Sequence, residues 1–153
     1  MDERYFAYGS NLWIDQMVAR TGALRDGAER PQIARLADHR LAFNMHWDDG
    51  QVFANLTQPG NGVYGVVYTC SPESLTRLEA LEAGYERGNV RVILADGAPL
   101  NAFAYFAKAD YVGDDARPAV EYLQKILMGA RQHGLPDAYI REIEASAVAK
   151  RKG

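Results

Sequence analysis

The sequence predicts an α+β fold whose strands curl into a small barrel. Three observations carry this. Strand-like segments mostly precede helical ones instead of alternating with them, which favours α+β over a doubly wound sheet. About six such strands fall within 153 residues, enough to close a small barrel. The last third of the chain is helical.

Residues 4–8 read as a strand, with Phe6 and Tyr8 at alternate positions, running into the polar corner Gly9-Ser10-Asn11. A short helix is expected over 12–20, with Ser10 or Asn11 as cap and Gly22 as stop. Residues 32–44 alternate weakly and suit one or two strands. Residues 51–57 and 63–69 are strands joined through Pro59-Gly60-Asn61-Gly62, a strong turn signal. A helix is predicted over 71–82: Ser71 caps it, Pro72 occupies the first turn where a missing N–H costs nothing, and Gly84 stops it. Strands at 89–95 and 101–107 turn through Asp96-Gly97. Helices follow at 117–132 and 137–149, broken by His133-Gly134-Leu135-Pro136.

Composition narrows the function. Apolar residues make up 48% and charged residues 24%, the balance of one globular domain. A net charge of −3 offers no basic face for nucleic acid. The one basic run, Lys150-Arg151-Lys152, reads as a solvated tail, so the expectation is a single domain over 1–153 with a flexible basic tail from about 147. No apolar run approaches the roughly 20 residues that span a bilayer. The start, MDERYF, lacks a signal-peptide core. Cys70 is alone, so no intrachain disulfide forms. A soluble protein of the reducing cytoplasm is expected, without nucleic-acid or membrane partners.

Two places invite chemistry. On a helical wheel, Leu75, Leu78 and Leu81 define the buried stripe of the helix over 71–82. Glu82 lies about 20° from Leu75 and about 40° from Leu78. Desolvation and the partial negative charge of a helix C-terminus both disfavour its carboxylate, so its pKa is expected to be raised. Such a carboxyl suits general acid/base work near neutral pH. The competing reading is a frayed helix end with Glu82 in water. The corner Tyr8-Gly9-Ser10-Asn11 has the same duality. Glycine admits close approach of backbone to a ligand, and the N–H groups that open a helix could hold an anion; alternatively it is a capped turn.

Other residues carry less. His39, His46, Asp48 and Asp49 match no metal-ligand spacing and read as a solvated loop. His133 near a helix end reads as a capping residue, and Cys70 as a small buried hydrophobe. Tyr122 flanks the stripe Val120, Leu123, Leu127 and reads as core rim or pocket wall.

Taken together and in order, these segments resemble the gamma-glutamylcyclotransferase family. The residues concerned are YFAYGSNL, then GVYGVVYTCSPESLTRLEALE, with LEALEAGY closing the predicted helix, and EYLQKILMGARQHGLPDAYI near the end. The resemblance covers nearly the whole chain. It implies a small mixed β-barrel flanked by helices that cyclises a γ-glutamyl group to 5-oxoproline and releases an amine or amino acid, a reaction of glutathione metabolism. By position, Glu82 matches the catalytic glutamate. Tyr5, Phe6, Ala7, Tyr8, Gly9, Ser10, Asn11 and Leu12 match the substrate-binding loop, and Tyr122 a substrate-contacting tyrosine. The implied partner is a small γ-glutamyl molecule, with no cofactor and no metal, on a monomer or homodimer. Removal of a γ-glutamyl protecting group in a biosynthetic pathway, or a non-catalytic module binding in the same cleft, are the alternatives. Two residues depart from the pattern: Ala83 stands where glycine is common, and Asn89 where an aromatic is frequent, which would reshape the pocket.

Overall fold

A computed structural model gives the fold; it describes residues 2–22 and 30–148. The expected α+β barrel is present. Among the described residues, seven strands and four α-helices run in the order β1 (Glu3–Ala7), α1 (Ile14–Thr21), β2 (Gln32–Leu36), β3 (Arg40–His46), β4 (Val52–Thr57), β5 (Val63–Cys70), α2 (Pro72–Leu81), β6 (Tyr85–Leu94), β7 (Pro99–Ala107), α3 (Val120–Gln132) and α4 (Asp137–Val148).

Five strands close a barrel in the order β1-β5-β2-β6-β7. Its neighbours pair antiparallel except at the closure, where β1 and β7 run parallel and Tyr5 faces Phe103. Closure removes the exposed strand edges that a short open sheet would leave. Phe6, Val66, Tyr68 and Val92 are buried in the core, each less than 2% exposed. The remaining strands, β3 and β4, form a separate hairpin with an irregularity between Phe43 and Met45. Asn55 of this hairpin accepts from the Ala107 N–H at 2.9 Å and donates to Asn44 Oδ1 at 3.1 Å, anchoring it to the end of β7.

Several boundaries differ from the expectation. Residues 32–44 are two strands in two different sheets, split at Asp38, whose φ of 63° is left-handed. The helix expected over 12–20 is a one-turn 3₁₀ helix at Ser10–Leu12 followed by α1, whose N-cap is Trp13. Neither Ser10 nor Asn11 caps α1. Gly22 does stop it, with φ of 75°. Ser71 caps α2 as expected, accepting from the Ser74 N–H at 3.2 Å. β6 begins at Tyr85, four residues before the predicted strand, because its alternation is masked by partial exposure along its length. α3 begins at Val120 instead of 117, since Pro118 biases the residue before it towards an extended backbone. Val120, expected in the apolar stripe with Leu123 and Leu127, is instead 64% exposed at the first position of the helix. At the other end, Ala147 is buried in α4, so the chain is still helical where the basic tail was expected to begin; 149–153 lie outside the described residues.

Candidate active site

A cleft of about 550 Å³ opens where the end of β1, the corner that follows it, the β3–β4 hairpin, the end of α2 and the first turns of α3 converge. Its size is in the range that encloses small molecules.

The corner forms one wall. Its two 3₁₀ bonds run from the Leu12 N–H to the Gly9 carbonyl at 3.0 Å and from the Trp13 N–H to the Ser10 carbonyl at 3.2 Å. That leaves the N–H groups of Gly9, Ser10 and Asn11 without a backbone acceptor among the described residues. The corner is held from several sides. Tyr68 donates to the Asn11 carbonyl at 2.8 Å, and Asn11 Nδ2 donates to the Tyr5 hydroxyl at 3.1 Å. Gln16 Nε2 donates to Ser10 Oγ at 2.7 Å and to Asn11 Oδ1 at 3.2 Å, and Arg20 Nη1 reaches the same Oδ1 at 3.3 Å. From α3, His133 Nε2–H donates to the Leu12 carbonyl at 2.7 Å, and Gln132 Oε1 accepts from the Ile14 N–H at 3.0 Å. His133 is therefore a brace on the corner. Burial lowers its pKa, and the bond to Leu12 opposes that shift.

Glu82 stands opposite in sequence but in the same cleft. It is the C-cap of α2 and half-buried. Burial of the carboxyl pushes its pKa up to about 7; the Arg20 guanidinium pulls it down and the Glu79 carboxylate pushes it further up. Glu79 is itself paired with Arg87. Leu81, expected in the buried stripe, is instead 51% exposed at the cleft, since α2 ends there and its last turn faces the opening.

Tyrosines complete the lining. Tyr5 stacks on Phe103 at 5.4 Å in the barrel and is buried; burial and the nearby Glu82 carboxylate both hold its phenol protonated. Tyr8 donates to the Tyr105 carbonyl at 2.6 Å. Tyr122 packs edge-on against Phe53 at 5.0 Å, and its hydroxyl would lie 3.5 Å from a Cβ placed on Gly9. Burial raises its pKa too.

The structure thus brings Glu82, Tyr5, Tyr8, Gly9, Ser10, Asn11 and Tyr122 to one cleft. Phe6, Ala7 and Leu12 do not line it; all three are fully buried in the core and hold the corner from behind. The sequence reading missed Gln16, Arg20, Trp47, Phe53, Tyr85 and Tyr105, which do line it. Gln16 and Arg20 are four apart on α1 and could have been found as a polar stripe on one helical face. Trp47 and Phe53 reach the cleft only because the hairpin folds over it.

The departures from the family pattern are mild. Ala83 lines the cleft without a positive φ, so it needs no glycine. Asn89 lies exposed on β6 opposite Phe103 and does not line the cleft, so it does not reshape the pocket. His46 Nε2–H donates to the Asp114 carbonyl at 2.7 Å, and Asp49 accepts from Gln51. Among the described residues no group of three or more His, Cys, Asp or Glu side chains is placed to hold a metal ion. Cys70 is buried, which pushes its thiol up to about 12. No helix among the described residues is long and apolar enough to cross a membrane.

Barrel and cleft together define a protein of the AIG2-like class, and the model of the AIG2-like family matches residues 62–143, more than half of the chain. The chain belongs to the gamma-glutamylcyclotransferase family within that class. It is 30% identical to the human gamma-glutamylcyclotransferase, the match covering 92% of this chain and 77% of the human protein. It is 29% identical to the mouse gamma-glutamylcyclotransferase, over 97% of this chain and 81% of that protein. A solved gamma-glutamyl cyclotransferase structure superposes with a TM-score of 0.83 at 28% identity, covering all of this chain and 92% of the other.

Proposed function

We propose that this chain is a gamma-glutamyl cyclotransferase in which Glu82 is the general acid/base. The observation that carries the proposal is a carboxyl titrating near 7 in the same cleft as the Gly9-Ser10-Asn11 backbone. The substrate supplies its own nucleophile. Its α-amine attacks its γ-carbonyl, so the protein's tasks are to fold the glutamyl chain back on itself and to move protons.

Glu82 as carboxylate takes one proton from the α-ammonium. The freed amine attacks the γ-carbon, forming the lactam C–N bond and a tetrahedral oxyanion, for which the N–H groups of the corner are the available donors. As the adduct collapses, the protonated Glu82 delivers the first proton to the leaving nitrogen and, as a carboxylate again, takes the second from the attacking nitrogen and passes it to the same leaving group. The old C–N bond breaks. 5-Oxoproline remains, and the leaving amine departs with both protons as an ammonium. A carboxyl near 7 is populated in both forms at neutral pH, which both halves of this transfer need. The residues supply every step without a cofactor.

A reaction of this kind would serve the turnover of γ-glutamyl compounds, glutathione metabolism included, and the buried Cys70 thiol is consistent with a reducing cytoplasm. The test is incubation with a panel of γ-glutamyl amino acids, peptides and amines, with 5-oxoproline as readout. Product from at least one supports the proposal. Product from none leaves a binding module and overturns it.

A further inference from the structure

We propose that Arg20 is the binding residue for the α-carboxylate of the γ-glutamyl substrate. The inference rests on the cyclotransferase reading and adds to it a residue of α1 that no motif singles out. Arg20 lines the cleft and is half-buried. Among the described residues it forms no ion pair; its one hydrogen bond is from Nη1 to the neutral amide oxygen of Asn11, at 3.3 Å. A half-buried guanidinium that no carboxylate touches has lost part of its hydration, and an anionic ligand restores what was lost. Its remaining N–H groups form a planar fork that matches a carboxylate.

Position selects which anion. Every γ-glutamyl substrate carries its α-ammonium and α-carboxylate on one carbon, and the ammonium must reach Glu82 to lose its proton. The carboxylate therefore lies beside Glu82, where a cation is needed. Arg20 is close enough for its charge to act on both Glu82 and Tyr122. It is also hydrogen-bonded to the corner whose N–H groups stand ready for the same ligand. Lys125 is a second cation of the cleft, but it sits on α3 one turn beyond Tyr122. The carboxylate held by Arg20 fixes the α-carbon, so the amine is presented to the γ-carbonyl in one orientation.

The test compares two ligands that differ only by the carboxylate: 5-oxoproline and 2-pyrrolidinone, measured by calorimetry. The wild type is expected to prefer 5-oxoproline by about tenfold to a hundredfold, the scale of a charge-assisted pair. Arg20→Gln should reduce that preference to a few-fold with an unchanged melting midpoint. Arg20→Lys, which keeps the charge but not the fork, should fall between, and it serves as the probe if Arg20→Gln does not fold. Lys125→Gln should keep the preference. A wild type with no preference, an Arg20 variant that retains the full preference, or a loss confined to Lys125→Gln would each overturn the assignment. Because the readout is binding, it is scored separately from turnover: absence of 5-oxoproline formation would defeat the reaction and leave the carboxylate preference to be judged by itself.

Discussion

The Tyr122 hydroxyl accepts a hydrogen bond from the Ala54 N–H at 3.0 Å, tying the first turn of α3 to β4. Tyr85, from β6, donates to the carbonyl of the same residue at 2.7 Å. Two phenols thus satisfy both backbone groups of one residue on the edge of a two-stranded sheet. A hairpin of this kind is marginal by itself, and these bonds fix it as a wall of the cleft.

Tyr122→Phe removes the acceptor and leaves the Ala54 N–H unpaired in a partly buried site. A loss of about 1–3 kcal/mol is expected, read from the urea midpoint, together with a raised KM as the wall loosens. An unchanged midpoint would mean that water replaces the phenol.

Gly129→Ala tests the contact between α3 and the corner. A Cβ at Gly129 would lie 2.4 Å from the Trp13 nitrogen and 2.5 Å from the Leu12 carbonyl carbon. Neither is a flexible side chain, so helix and corner must separate. About 1–3 kcal/mol of stability should be lost, and affinity for 5-oxoproline should fall with it. Retained affinity would show that the corner keeps its shape without α3.

Glu82→Gln keeps the shape of the side chain and removes its proton chemistry. Turnover should drop about 10²- to 10⁴-fold, the scale of general acid–base catalysis. Binding of 5-oxoproline should persist. Near-normal 5-oxoproline formation by this variant would take Glu82 out of the mechanism.

The pH dependence has a definite sign. Glu82 moves from its ordinary 4.5 to about 7 on folding, chiefly through burial. kcat/KM should therefore rise with pH through about 7 as the carboxylate forms. Stability moves the other way: the folded protein holds this proton more tightly than the unfolded chain, so the contribution is full below 4.5 and lost as pH rises through 7. Relative to wild type, Glu82→Gln should gain on the order of 2 kcal/mol between pH 5 and pH 8. Parallel denaturation curves at the two pH values measure it, and an equal difference at both would place the carboxyl in water.

Much of the fold was legible because its signals are local. Ser71 with Pro72, Gly22, Asp96-Gly97 and His133–Pro136 each act through the backbone of a few residues, and each stands where it was read. Glu82 was legible for the same reason, from its angle to Leu75 and Leu78 at the end of one helix. The order of the motifs along the chain was enough to point to the family.

What the tertiary structure decided are matters of distant contact. Residues 32–44 carry one pattern, yet their halves join different sheets, because pairing partners are chosen across the whole molecule. Leu81 fits the apolar stripe but is exposed where α2 meets the cleft. Arg20 and Glu82 are separated in sequence by β2, β3, β4 and β5. Only the packing of α1 against α2, which buries the carboxyl and sets the guanidinium near it, makes them one site. Burial is a property of the assembled walls, and no stretch of sequence contains it.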